Sequence, residues 1–138
     1  MSRPVVLFLC QHNAGRSQLG TALMDHRAGD RIDARSAGIA PADTINAAGA
    51  ASLAELGINT AGRTPRAVTA ADLESADIVV AMKPGLKLPA EPTGTYLVWE
   101  LPDPGNWDVE SIRPLREEID ARVQALARLV HGGHGPRS

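Results

Sequence analysis

The segment Pro4–Cys10, PVVLFLC, restricts this chain more than any other: it is an unbroken apolar run that ends on a cysteine. A strand that is apolar on successive residues must be covered on both faces, the condition of a central strand in a parallel sheet. The polar stretch Cys10-Gln11-His12-Asn13-Ala14-Gly15-Arg16-Ser17 follows directly. Beyond it Leu19, Ala22 and Leu23 recur at helical spacing, with His26 completing the stripe as a partly buried packing residue, so the spacing predicts a helix over Arg16–Arg27. Strand, tight loop and helix in this order begin a βα unit.

The same alternation continues. Ile32–Ala37 reads as a short strand closed by Gly38, and Thr44 as the cap of a helix whose inward face carries Ile45, Ala48, Ser52, Leu53 and Leu56 and which ends with Gly57 at C′. Thr69 and Asp72 form a capping box with Asp in place of Glu, opening a short helix before the strand Ile78–Met82. A surface connection over 83–94 leads to a last strand, Thr95–Trp99, and then to an irregular loop from Glu100 to Asp108. Ile112, Leu115, Ile119, Val123, Leu126 and Val130 mark a long amphipathic helix. Pro114 sits badly inside a helix, so this one is expected to begin near Arg113 or to carry a kink, with Asp108 as a turn or helix-start residue. Residues 132–138 are expected to be a disordered tail, leaving 1–131 as a single catalytic domain. Alternating strands and helices imply an α/β fold, a parallel sheet with helices on both faces and right-handed crossovers. Ligands of such folds bind beyond the carboxyl ends of the strands, where the loops after the first and last strands can meet.

Composition narrows the function classes. The 14 basic and 16 acidic residues of the 138 leave a net charge of −2 and are scattered, so neither a nucleic acid nor an anionic membrane is the expected partner. No apolar run approaches the roughly 20 residues that span a bilayer. The single cysteine rules out a disulfide within these residues and favours a reducing compartment, the cytoplasm. No His/Cys cluster suggests a metal.

The loop from Cys10 to Ser17 carries the chemistry. Wrapped at a helix N-terminus, its backbone N–H groups and the helix dipole make a cradle for an anion. Arg16 can clamp two oxygens of a tetrahedral oxyanion, a geometry lysine cannot copy. The same surroundings favour a thiolate at Cys10, to which Ser17 can donate a hydrogen bond. A lone cysteine closing an apolar strand is usually a small core residue; the strand before, the helix after, Asn13 and Gly15 within and Ser17 behind the arginine argue for the nucleophile. Thiolate attack on an oxyanion expels an oxygen, which leaves more easily if a carboxylic acid protonates it, and Asp103, next to Pro104, is the candidate. Taken alone, Asp103 reads as a turn residue, and Asp108 is the competing carboxylate.

The Cys10–Ser17 loop, Ser36-Ala37-Gly38 and the Asp103-Pro104 loop, in this order, resemble the low-molecular-weight protein tyrosine phosphatase superfamily over almost the whole chain. QHNAGRSQ and WELPDP look more like its arsenate reductase branch than its phosphatases. The resemblance implies a three-layer α/β/α fold with a four-stranded parallel sheet. It also implies Cys10 as nucleophile, Arg16 with the amides of Gln11, His12, Ala14 and Gly15 as oxyanion binders, Asn13 as loop organiser, Ser17 as thiolate stabiliser and Asp103 as acid. The chain departs from the thioredoxin-coupled reductases, which carry two further cysteines on a mobile segment where this sequence has Met82-Lys83-Pro84-Gly85. It departs from the phosphatases in having Gly15 before the loop arginine and Gly105-Asn106-Trp107 where they have tyrosines. The acids that another branch uses for potassium are not evident. The implied activity is a single-cysteine, mycothiol-dependent arsenate reductase with no tightly bound cofactor. Mycothiol is its expected co-substrate, a mycoredoxin acts downstream and phosphate is a competitor. The alternatives are a phosphatase working through a Cys10 phosphoenzyme and a catalytically silent oxyanion-binding module.

Overall fold

A computed structural model of the chain describes residues 3–134. The elements are β1 (Val5–Cys10), α1 (Arg16–Ala28), β2 (Asp33–Gly38), α2 (Ala47–Ala54), α3 (Ala70–Ser75), β3 (Ile78–Ala81), β4 (Thr95–Val98) and α4 (Val109–His134). The four strands are parallel and lie in the order β2-β1-β3-β4, which makes β1 an interior strand.

Alternate residues of β1 serve opposite faces. Val6, Phe8 and Cys10 join the core built with α1, α2 and α4, among them Leu19, Leu23, Leu53, Leu115 and Ile119. Leu7 and Leu9 enter a smaller core with Leu73, Ala76 and Val79. Every β1 residue from Val6 to Cys10 is at most 6% exposed, which is why PVVLFLC shows no polar alternation. Each fully buried leucine contributes about 1.5–3 kcal/mol relative to an exposed one. The second face is closed by the short α3 with Leu86 and Leu88 of the 83–94 connection, completing three layers. Among the described residues no helix is long and apolar enough to cross a membrane.

The Thr69 capping box forms in both directions: Thr69 Oγ1 accepts from the Asp72 N–H at 3.1 Å and Asp72 Oδ2 accepts from the Thr69 N–H at 2.8 Å. Burial pushes the Asp72 carboxyl up, but the Arg66 pair and the Thr69 bonds outweigh it and hold the group below the usual carboxylate range. Gly57 lies at φ +78 and ends α2 as a Schellman motif, its N–H donating to Ala54 O at 2.9 Å while the Ile58 N–H donates to Leu53 O at 3.1 Å.

Four expectations are corrected. α2 is capped by Asn46 rather than Thr44: Asn46 Oδ1 accepts from the Gly49 N–H at 2.9 Å, while Thr44 is exposed. α4 starts at Val109 rather than near Arg113, because Asp108 Oδ1 accepts from the Ser111 N–H at 2.8 Å, a bond that also lowers the Asp108 carboxyl pKa. Pro114 is carried inside, and the carbonyl it leaves without a helical donor belongs to the exposed Glu110, where water can reach it. His26 is exposed: α1 is buried continuously from Ser17 to Met24 between the sheet and the other helices, and its last turn emerges with His26 and Arg27, cations suited to a helix C-terminus. α4 continues through His134, where a tail was expected from residue 132; the remainder of that tail, 135–138, lies outside the described residues.

Polar ties lock the helices together. Arg27 donates through Nε and Nη2 to both oxygens of the buried Asp120, at 3.0 and 2.6 Å, and holds the Asp120 carboxyl below its ordinary range. From α4 the buried Arg116 donates to Ser52 O at 2.9 Å and to Glu55 at 2.8 Å. Arg113 and Arg116 together bring the Glu55 carboxyl to about 2.

Candidate active site

The loop from Cys10 to Ser17 leaves the carboxyl end of β1 and enters α1 at Gly15, the N-cap residue. Its carbonyls are turned away from its centre by bonds to the surrounding chain. Cys10 O accepts from the Ile39 N–H, Gln11 O from Ala40, His12 O from Ala42, Ala14 O from Asn46 and Gly15 O from Leu19, at 2.7 to 3.3 Å. Asn13 O accepts from Gln18 Nε2 at 3.0 Å, and His12 Nδ1 lies 3.0 Å from Ala40 O. Among the described residues the N–H groups of 11–16 have no protein acceptor. Amides without a protein acceptor need another partner, so this ring of donors, with no acidic side chain in the first turn of α1 and no side-chain cap there, can hold an anion.

Below the ring, Asn13 and Ser17 are fully buried. Asn13 adopts φ +51, the left-handed region that asparagine tolerates better than most residues, and so turns the loop back on itself. Its Nδ2 donates to Ser17 Oγ at 2.8 Å, and its Oδ1 accepts from the Arg66 N–H at 2.9 Å. Ser17 Oγ lies 2.9 Å from Cys10 Sγ. Because Asn13 has only donors at Nδ2, the Ser17 oxygen is the acceptor of that bond and its own proton is free for the sulfur. The chain Asn13–Ser17–Cys10 thus presents a donor to a thiolate. Gly38, paired with Cys10 across the β1–β2 ladder, completes the support: a Cβ there would lie 2.7 Å from Asn13 N.

Cys10, Gln11, His12, Ala14, Gly15 and Arg16 line a pocket of about 300 Å3, joined by Asn46, Lys83 and Trp107. The Arg16 guanidinium carbon is 5.8 Å from the centroid of the Trp107 ring, and among the described residues Arg16 forms no ion pair, leaving its donors available. The indole also packs on Gly15, where a Cβ would meet Trp107 Cη2 at 2.8 Å. Asp103 does not line this pocket. It is exposed on the loop between β4 and α4, where its Oδ1 accepts from the Gly105 N–H at 2.9 Å. There it lines an adjoining cavity that shares Arg16 and Lys83 with the Cys10 pocket. Asp108, its competitor in the sequence, is occupied as the α4 cap.

Sequence reasoning missed Asn46, Lys83 and Trp107 as pocket residues. Lys83 is one of two lysines and follows the carboxyl end of β3, which was a usable signal. Trp107 lies in a stretch of turn formers where nothing in the local pattern says which way an aromatic ring folds. Among the described residues no group of three or more His, Cys, Asp or Glu side chains is placed to hold a metal ion.

Comparison with known proteins agrees with this geometry. The sequence profile of the low molecular weight phosphotyrosine protein phosphatase family matches residues 5–133. A Halobacterium salinarum protein is 36% identical over 125 residues, covering 86% of this chain and 87% of its own length. An arsenate reductase of Halalkalibacterium halodurans is 30% identical over 138 residues, with 92% and 97% covered. Among solved structures, the thioredoxin-dependent arsenate reductase of Corynebacterium glutamicum superposes with a TM-score of 0.83 at 36% identity; the match covers 95% of this chain but 63% of that longer one. The Cys10–Ser17 loop, the four-stranded parallel sheet and these matches agree, and the chain belongs to the low molecular weight phosphotyrosine protein phosphatase family, on its arsenate reductase branch.

Proposed function

We propose that the protein is an arsenate reductase of the transferase type, in which Cys10 attacks arsenate and an external low-molecular-weight thiol, mycothiol, removes the arsenic. The observation that carries this reading is the Cys10 sulfur, 2.9 Å from the Ser17 hydroxyl, at a pocket rimmed by unpaired loop amides and Arg16. Relatives named arsenate reductase at 30% and 36% identity favour arsenate over a phosphate ester as substrate. Cys10 is the only cysteine in the sequence, which supports an external thiol over an internal relay.

The steps balance as follows. The Cys10 thiolate forms an S–As bond while the As–O bond to one arsenate hydroxyl breaks; that hydroxyl takes a proton from Asp103 and leaves as water. Arg16 and the amides of residues 11–16 hold the remaining oxygens as charge shifts among them. The external thiol then bonds to arsenic as its proton passes to the Asp103 carboxylate, and the Cys10–As pair of electrons returns to sulfur. Arsenic stays pentavalent throughout, and a mycoredoxin reduces the released conjugate. Thiolate chemistry of this kind suits the cytoplasm, and phosphate, of nearly the same shape, competes for the loop.

A phosphatase reading keeps the same first step and replaces the thiol by water; the family profile favours it as the second possibility. Arsenate turnover is measured with mycothiol, mycoredoxin and its reducing system, with glutathione–glutaredoxin and thioredoxin in parallel, beside hydrolysis of an aryl phosphate. Turnover that needs mycothiol and vanishes in Cys10→Ser supports the proposal. Aryl phosphate hydrolysis without arsenate reduction moves the protein to the phosphatases.

A further inference from the structure

Beside the Cys10 pocket lies a second cavity of about 460 Å3. Its lining divides into an apolar part, Met82, Pro84 and Leu101, and a charged part, Lys83, Glu100 and Asp103, with Arg16 at the junction to the Cys10 pocket. Lys83 and Glu100 are exposed, and among the described residues neither side chain is in an ion pair. We infer that this cavity is the binding site of the second substrate, an uncharged, hydroxyl-rich thiol, held between Lys83 and Glu100 with its sulfur directed to the arsenic. The inference rests on the transferase reading above.

Stereochemistry supplies the first argument. Entering and leaving atoms in such displacements lie roughly in line, so the oxygen departs from the apex opposite Cys10 Sγ. The thiol that later displaces Cys10 must enter at that same apex, on the side of the acid that protonated the oxygen. Asp103 lines this cavity and not the Cys10 pocket. Having given its proton to the leaving oxygen, the Asp103 carboxylate takes the proton of the incoming thiol. The thiol–arsenic bond forms, the Cys10–arsenic bond breaks toward Cys10, and no oxidant or reductant is consumed.

Charge supplies the second argument. Once Arg16 is committed to the oxyanion, the remaining ionised side chains are one cation, Lys83, and two carboxylates, Glu100 and Asp103. That balance disfavours a thiol carrying carboxylates of its own. A sugar-linked thiol suits it, since each hydroxyl both donates to a carboxylate and accepts from an ammonium group. Pro84 and Leu101 offer the apolar faces on which a ring can lie, while Met82 is buried beneath them.

The test is steady-state kinetics of the full chain with mycothiol and with glutathione as alternative thiols, in the wild type, Glu100→Gln, Glu100→Lys and Lys83→Gln. Loss of one hydrogen bond to a charged group corresponds to about a tenfold rise in KM for mycothiol in Glu100→Gln and Lys83→Gln. Glu100→Lys is expected to shift the ratio of kcat/KM values from mycothiol toward glutathione by at least about tenfold. Glu100 does not line the Cys10 pocket, so the arsenate KM of its variants stays at the wild-type value. Normal wild-type turnover with an unchanged mycothiol KM in all three variants overturns the site alone. An arsenate KM that rises in Glu100→Gln while the mycothiol KM does not also overturns it. A wild type with no mycothiol-dependent turnover overturns the transferase reading and this site with it.

Discussion

Replacing Gly38 by alanine tests whether the Cys10–Ser17 loop is held in place by the neighbouring strand. The added Cβ would lie 2.7 Å from Asn13 N and 2.9 Å from Asn13 Cβ. Unstrained heavy-atom contacts begin near 3.4–3.5 Å, so the loop or β2 must retreat by about 0.7 Å. The loop has little room to yield: Asn13 is fully buried, already at φ +51, and joined to Ser17 and Arg66 by bonds of 2.8 and 2.9 Å. Overpacking of this kind costs about 1–3 kcal/mol of stability. A shift approaching 1 Å in a catalytic group corresponds to a loss of roughly 10- to 100-fold in kcat. The measurements are arsenate turnover, the rate of Cys10 alkylation by iodoacetamide and the urea midpoint. Gly57→Ala is the control: its φ of +78 strains an alanine by about 1–2 kcal/mol, but no atom lies within 4 Å, so it should lose stability and keep kcat. Wild-type kcat and alkylation rate in Gly38→Ala would refute the argument that this close approach positions the loop.

Ser17→Ala removes the donor 2.9 Å from Cys10 Sγ and leaves Asn13 Nδ2 without its acceptor, so Cys10 alkylation at neutral pH should slow by about tenfold or more; an unchanged rate removes Ser17 from the activation of the thiol. Gly15→Ala drives a methyl into Trp107 Cη2 and should lower kcat/KM for arsenate by about tenfold, with Trp107→Ala in the same chain restoring part of it; a double variant as impaired as the sum of both singles would show that the two residues do not share a contact. Arg27 holds the Asp120 carboxyl below its usual range, so that pair stabilises the fold above the unfolded-state pKa of about 3.9, and the contribution is lost as pH falls through the lower native value. Urea midpoints measured from pH 6 to pH 2 should therefore fall less steeply in Asp120→Asn than in the wild type, and parallel curves would sink the assignment.

The sheet and the shape of the Cys10–Ser17 loop were legible because their signals are local. PVVLFLC needs two covered faces, and Cys10 through Ser17 is short enough that its position between a strand and a helix dictates where its amides point. The Thr69–Asp72 box and Gly57 were equally readable, since each acts within one turn of its own chain. What escaped depends on distant partners. Thr44 and Asn46 are both competent caps, and the choice is made by the Asn46 N–H bonding to Ala14 O in the Cys10–Ser17 loop. The periodicity of α4 begins at Ile112 although the helix begins at Val109, because its first turn is defined by Asp108 and not by apolar residues. Asp103 was singled out for its chemistry, but the cavity it lines, with Lys83 and Glu100, is assembled from three separate segments of the chain.

The outward-turned carbonyls of the Cys10–Ser17 loop have a consequence for selectivity. Since Ile39, Ala40, Ala42, Asn46 and Leu19 hold the loop open by bonds of the protein's own, the donor ring needs no ligand to form it. A rigid ring of amides recognises tetrahedral shape and negative charge, and two anions that share both gain almost the same binding energy from it. In the proposed reaction, discrimination between them passes from equilibrium to rate: whichever central atom exchanges its oxygen for sulfur faster is the one carried forward, and the other occupies the site as an unreactive guest.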